Sequence, residues 1–172
     1  MKADKISYVG CVSRFFTSFI LLASLLVLPK AQGAVGNYFL LDDLTYMVLT
    51  EEPDSLTGTV SVQRESTGIS GDIEIPASVT NGGINYSVTL IPNSAFQSCS
   101  YLTGIIIPES VTGIGAEAFN GCESLTSVVI GGSVTEIGER AFFNCYSLTS
   151  ITIPDSVNSI GYGVFSSCLA LT

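Results

Sequence analysis

The residues of this chain best suited to chemistry are four cysteines, Cys99, Cys122, Cys145 and Cys168, each 23 positions from the next. A thiol is a nucleophile only as a thiolate, and the neighbour that commonly takes its proton is histidine. The 172 residues include no histidine. Ser-His-Asp and Cys-His constellations are therefore impossible, and acid–base catalysis near neutral pH lacks its commonest agent. No Cys-x-x-Cys spacing accompanies the thiols, and a linear row of them is not a tetrahedron, so a metal centre has little support. Carboxylate pairs occur at Asp42-Asp43 and Glu51-Glu52. Neighbours on a strand point to opposite faces, so such pairs do not converge and read as loop or edge solvation. The fragments "GIGAEA" and "GGSVTEIG" fall inside the 23-residue spacing and form no phosphate loop. No Asp-x-Asp-x-Asp-Gly loop points to calcium. Asn85-Tyr86-Ser87 is a glycosylation sequon, relevant only in a eukaryotic secretory pathway. The expectation is a non-enzyme with no catalytic, cofactor-binding or metal-binding residues.

The cysteines belong to a wider register that must position them. Phe96, Phe119, Phe142 and Phe165 keep the same step of 23, as do Leu102, Leu125, Leu148 and Leu171. Ile91, Ile114, Ile137 and Ile160 form a further column, and Val88, Val111, Val134 and Val157 another. A period of 23 falls in the range of leucine-rich repeats, roughly 20–29 residues. In one circuit, Leu125–Ile130 predicts a short strand with Leu125, Val128 and Ile130 inward. Gly131-Gly132, or Pro108 and Pro154 in the flanking copies, ends the strand. "SVTEIG" predicts a second extended piece with Val134 and Ile137 inward. "ERAFFNCYSL" predicts a helical turn or two, with Ala141, Phe142 and Cys145 on one face. A single circuit cannot bury its own apolar face, so neighbours must stack.

The pattern Ile-Pro-x-Ser-Val-Thr-x-Ile-Gly-x-x-Ala-Phe-x-x-Cys-x-Ser-Leu-Thr, from Ile107 to Thr126, resembles the BspA-type leucine-rich repeat of secreted and surface proteins. Ile153-Pro154 through Leu171-Thr172 fit it again. The copy between them departs at Gly131-Gly132, and the first copy departs at Asn85 and Pro92. The fold class expected is a mainly β repeat solenoid on one sheet, a right-handed superhelix of 23-residue repeats combining short parallel strands with helical turns. The resemblance implies an adhesive, protein-binding role at the surface.

Stacked rungs lie about 4.8 Å apart, so identical slots form ladders. Phe96, Phe119, Phe142 and Phe165 should align beside Cys99, Cys122, Cys145 and Cys168 in the core. Free Cys behaves as a small apolar residue, and a buried thiol spine is one reading. A disulfide between neighbouring rungs is another, since the rung spacing permits one in an extracellular protein. On the first reading, serine at Cys122 or Cys145 places a hydroxyl in an apolar slot without a partner.

Residues 1–33 read as a signal peptide. Lys2, Lys5 and Arg14 precede an apolar run from Phe15 to Leu28, and Ala31-Gln32-Gly33 offers a small-residue cut. That run is too short to span a bilayer comfortably. Its removal leaves Arg64 and Arg140 against fourteen of the fifteen acids, a net charge of −12. Such a surface repels nucleic acid and anionic membranes, and no membrane insertion of the mature chain is expected. Residues 34–83 read as an N-terminal β cap, with strands at "LTYMVL" and "GTVSVQ". "GDIEIPASVTNGGINYSVTLI" reads as a hairpin leading into the first regular rung. Residues 84–172 then hold about four circuits, the last incomplete. Phe165, Cys168 and Leu171 should face an uncapped end, where association is expected.

Function therefore rests on surface positions. Gly104, Ser127 and Ser150 form one outward column, and Ile106, Val129 and Thr152 another. Tyr101, Glu123 and Tyr146 stand at the rim. These residues are the candidate interaction surface for a protein or glycan ligand of a secreted or cell-surface protein. The alternative is a spacer or stalk within a larger surface protein.

Overall fold

The computed structural model describes residues 35–172 except 53 and 67. The segment read as a signal peptide lies outside the described residues. The described chain opens with an antiparallel meander of β1 (Tyr38–Leu41), β2 (Leu44–Glu52) and β3 (Thr57–Arg64). Asp42-Asp43 is the two-residue turn between β1 and β2, with φ of 49° and 65°. Left-handed geometry at both positions matches the twist of the flanking strands, and Asp is among the few residues that tolerate it.

Next come β4 (Ser70–Glu74), β5 (Ser78–Asn81) and β6 (Ile84–Ile91). The hairpin predicted across residues 71–91 is only partly correct. β5 and β6 pair antiparallel around Gly82-Gly83, whose φ values are 59° and 83°. β4 instead pairs in parallel with β7 (Tyr101–Ile106). The remaining strands are β8 (Gly113–Ile114), β9 (Ser127–Val129), β10 (Glu136–Ile137), β11 (Ser150–Ile151) and β12 (Ser159–Ile160).

Two sheets result, where the sequence suggested one. The larger has eight strands in the order β1-β2-β3-β6-β8-β10-β12, with β5 alongside β6; the smaller is β11-β9-β7-β4. Each circuit contributes one strand to each sheet. Glu136 pairs with Gly113 and Ser159, and Ser127 pairs with Gly104 and Ser150, all 23 positions apart.

Between the sheets the apolar columns stack. Ring centroids are 5.2 Å apart for Phe96–Phe119, 5.1 Å for Phe119–Phe142 and 5.8 Å for Phe142–Phe165, and the rings are nearly parallel. Phe96, Phe119 and Phe142 are fully buried, whereas Phe165 and Leu171 are half-buried and Tyr162 and Leu169 exposed.

Among the described residues no helix forms, so the expected helical turns are turns of another kind. Gln97 and Cys99 donate three residues back to Ser94 and Phe96, but Ser94 and Ser98 have φ of 57° and 60°. Glu117, Arg140 and Asn144 repeat this conformation in later circuits. A left-handed residue every few positions prevents a right-handed helix from propagating. The freed amides bond across circuits instead. Ser94, Phe96 and Ser98 donate to Ala116, Ala118 and Asn120 at 2.9, 2.7 and 2.7 Å.

The repeated glycine serves this close stacking. A Cβ on Gly115 would come within 2.5 Å of the Asn93 amide and 2.6 Å of the Pro92 carbonyl carbon. Gly138 and Gly161 lie equally close to backbone of the preceding circuit.

Candidate functional site

The outward face of the four-stranded sheet carries the residues singled out for binding. Tyr101 opens β7 and is 67% exposed; Ile106 closes it at 44%. Val129, 56% exposed, closes β9 and pairs in register with Ile106. Thr152 is exposed one residue beyond β11. Glu123 and Tyr146 are exposed in equivalent turns 23 residues apart. Strand register thus brings Ile106 and Val129 together, while Tyr101, Glu123 and Tyr146 precede their strands or open them, at one side of the face.

Sequence reasoning missed two members of this face. Asp72 registers with Gly104 and Glu74 with Ile106, extending both outward columns by one carboxylate. The Thr103 hydroxyl donates to Asp72 Oδ1 at 2.6 Å and holds that carboxylate beside β7. Gly104 leaves room for it, because a Cβ there would sit 2.6 Å from Asp72 Oδ1 and 2.9 Å from Ser127 Oγ. A shallow depression of about 360 Å³ opens where the side chain is missing, among Asp72, Glu74, Ile106, Ser127 and Val129. The signal was present: "IEIP" at 73–76 matches "IIIP" at 105–108 and "ITIP" at 151–154. The β5–β6 hairpin lengthens that first connection to 32 residues, so the step of 23 passed over it.

Below this face Thr126 and Thr149 donate to the carbonyls of Thr103 and Thr126, at 2.9 and 3.4 Å. These hydroxyls are engaged between rungs. The exposed face offers small, aliphatic and acidic groups, suited to contact rather than to bond making.

The four cysteines are free and buried. Their slot is not wholly apolar. The thiols of Cys122, Cys145 and Cys168 donate to the carbonyls of Phe96, Phe119 and Phe142, at 3.2, 3.3 and 3.1 Å. The expectation that a hydroxyl there would find no partner is thereby corrected. Burial pushes the Cys122 thiol up to about 12, with Cys99 beside it adding to the rise. Burial raises Cys145 further, and raises Cys99 and Cys168 as well. A raised pKa keeps a buried thiol protonated near neutral pH, and the thiolate is the nucleophilic form. Among the described residues no group of three or more His, Cys, Asp or Glu side chains is placed to hold a metal ion.

Residues 73–172 match the family model for the BspA type leucine rich repeat region, in six copies. Among curated proteins nothing matches the chain. Solved structures are similar. A leucine-rich repeat protein of T. pallidum is 30% identical, with a TM-score of 0.61 over 74% of this chain and 56% of that one. A leucine-rich repeat protein from Bacteroides capillosus is 34% identical, with a TM-score of 0.60 over 72% of this chain and 86% of that one. A leucine rich cell surface protein from Faecalibacterium prausnitzii is 33% identical, with a TM-score of 0.62 over 78% of this chain and 35% of that one. The chain thus spans about half the length of the T. pallidum protein and about a third of the F. prausnitzii protein.

Proposed function

This chain belongs to the BspA-type leucine-rich repeat family, and we propose that it is a non-catalytic protein-interaction module, secreted or held at the cell surface. Its contact surface is the outward face of the four-stranded sheet. The observation that carries this reading is the in-register pairing of exposed Ile106 and Val129 beside a side-chain-free notch at Gly104. Aliphatic residues on a solvent face are poorly explained by solubility, and an apolar centre with a polar rim is the usual anatomy of a protein contact. Tyr101 and Tyr146 supply large amphipathic rings of the kind enriched at protein interfaces. The likeness to a leucine rich cell surface protein supports the location.

The domain organisation belongs to the same proposal. Residues 1–33 are a signal peptide, 34–83 an N-terminal β cap and 84–172 the repeats, wound as a right-handed superhelix of 23-residue circuits. Adhesion is the biological role this organisation serves, with a protein or glycan as ligand.

The test is binding of the purified chain to a panel of extracellular-matrix proteins, glycans and whole cells. Saturable binding that Tyr101→Ala and Tyr146→Ala abolish, with thermal unfolding unchanged, supports adhesion through this face. Absence of binding across the panel by a folded protein assigns the chain to a spacer or stalk instead.

A further inference from the structure

The two sheets do not end together. The eight-stranded sheet runs three strands past β6, through β3, β2 and β1, whereas the four-stranded sheet stops at β4. Among the described residues β4 is paired on one edge only, with β7. Its other edge borders a cleft of about 740 Å³. The floor of the cleft is apolar, from Leu44, Tyr46 and Ile69, all buried. Its rim is acidic, from Asp42, Asp43, Glu65 and Glu74, and no Lys or Arg among the described residues lines it.

The backbone of β4 fixes what the cleft can take. Ile75 donates to the Ile106 carbonyl at 3.0 Å, and Ile73 registers with Ile105. Alternate residues of a strand direct their N–H and C=O to opposite edges. Ile73 and Ile75 therefore face β7, and the amides and carbonyls of Asp72 and Glu74 face the open edge. An unpaired edge is a template for another strand.

We propose that the free edge of β4 takes up an extended, basic segment of a partner protein as a fifth strand of the smaller sheet. Five residues of β4 match an extended segment about 17 Å long. Main-chain bonds to Asp72 and Glu74 hold it, and Lys or Arg at alternate positions meets the acidic rim. Charge selects this occupant over a second copy of the chain, since a net charge of −9 repels its like at an acid-lined edge. The inference concerns an edge rather than the outward face and does not rest on Tyr101 or Tyr146.

The test titrates the full chain against a fluorescein-labelled Lys-Val-Lys-Val-Lys peptide, read by anisotropy at low and high salt. The controls are an acidic Glu-Val-Glu-Val-Glu peptide and a lysine peptide N-methylated at alternate residues. Two variants separate charge from backbone. Glu74→Gln removes charge alone. Glu74→Pro removes the cleft-facing N–H, at an edge position where proline spares the β7 ladder. The expected result is saturable binding of the basic peptide only. Glu74→Gln weakens it a few-fold and flattens its salt dependence, and Glu74→Pro weakens it by roughly tenfold or more. Failure of the basic peptide to bind, or equal binding by the methylated peptide or by folded Glu74→Pro, overturns the proposal. If Glu74→Pro does not fold, amide exchange at Asp72 and Glu74 in the parent chain decides. Slowing on peptide addition upholds strand addition, and unchanged exchange overturns it.

Discussion

The thiol of Cys122 donates to the carbonyl oxygen of Phe96, 3.2 Å away and 26 positions earlier in the chain. The same carbonyl accepts from the Cys99 amide at 3.2 Å, so each thiol ties its circuit to the turn of the circuit before. The column thus combines small volume with one weak donor aimed at a carbonyl, a pairing that serine also supplies. Cys122→Ser should cost about 1 kcal/mol, since its hydroxyl keeps an acceptor. Cys122→Val lacks the donor and enlarges a slot stacked between Cys99 and Cys145, so about 1–3 kcal/mol is expected. Urea unfolding of the two variants ranks them. If the valine variant is the more stable, the thiol–carbonyl contact contributes nothing.

Alkaline pH should destabilise the protein from about pH 9 upward. Burial raises Cys122 from 9.0 to about 12, and Tyr46 from 10.0 to about 12 with Asp42 adding to the rise. Cys99, Cys145, Cys168 and Tyr86 are raised too. Each group is neutral when protonated. Below pH 9 both states hold these protons, and the stabilisation is complete. Above it the unfolded chain releases them first, so it binds fewer protons than the native state and stability falls with pH. Each such group contributes a slope of up to about 1.4 kcal/mol per pH unit. Urea midpoints should be level from pH 7 to about pH 8.5 and decline beyond pH 9, less steeply in Cys122→Ala. A flat profile to pH 11 would contradict this.

The Phe96-to-Phe165 column was readable in the sequence because every circuit repeats one packing problem, and its solution recurs at the same step. The outward pairing of Ile106 with Val129 followed from the same step. The second sheet did not, since strands of two or three residues, such as Glu136–Ile137, carry no mark of which neighbour they join. The left-handed conformations at Ser94, Glu117 and Arg140 were hidden for another reason. Three unlike side chains occupy that position, and bonds to the following circuit hold the conformation rather than local preference. Asp72 and Glu74 escaped notice because the inserted hairpin displaced their circuit from the period. They add two carboxylates to outward columns that are otherwise small, hydroxylic or aliphatic.

Gly138 should tolerate no side chain. A Cβ there would overlap the Ala116 amide and the Gly115 carbonyl carbon, both backbone atoms that no rotamer change can move. Gly138→Ala should therefore force the circuits apart and destabilise by about 1–3 kcal/mol or more. Gly113→Ala is the control, since its Cβ would meet only the flexible Leu90 side chain, at 3.4 Å. Thermal unfolding should separate the two variants clearly. Equal midpoints would mean that the circuits are not in backbone contact at the repeated glycine.

Protection against amide exchange should fall at the last circuit. Phe96, Phe119 and Phe142 donate their amides to Ala118, Ala141 and Val164 of the circuit that follows, at 2.7, 2.8 and 3.0 Å. Phe165 occupies the same position in the last described circuit, and its amide has no acceptor among the described residues. Tyr162 and Leu169 are exposed and Phe165 and Leu171 half-buried, so among the described residues this circuit is packed from one side. Exchange tracks local opening, and an amide with neither a partner nor a covering layer opens at little cost. The Phe119 amide should therefore exchange only on global unfolding, and the Phe165 amide orders of magnitude faster. The measurement is hydrogen–deuterium exchange by NMR on dilute protein, repeated at high concentration. Slow exchange at Phe165 that appears only at high concentration would mean that another molecule covers this face. Slow exchange in dilute solution would contradict the gradient.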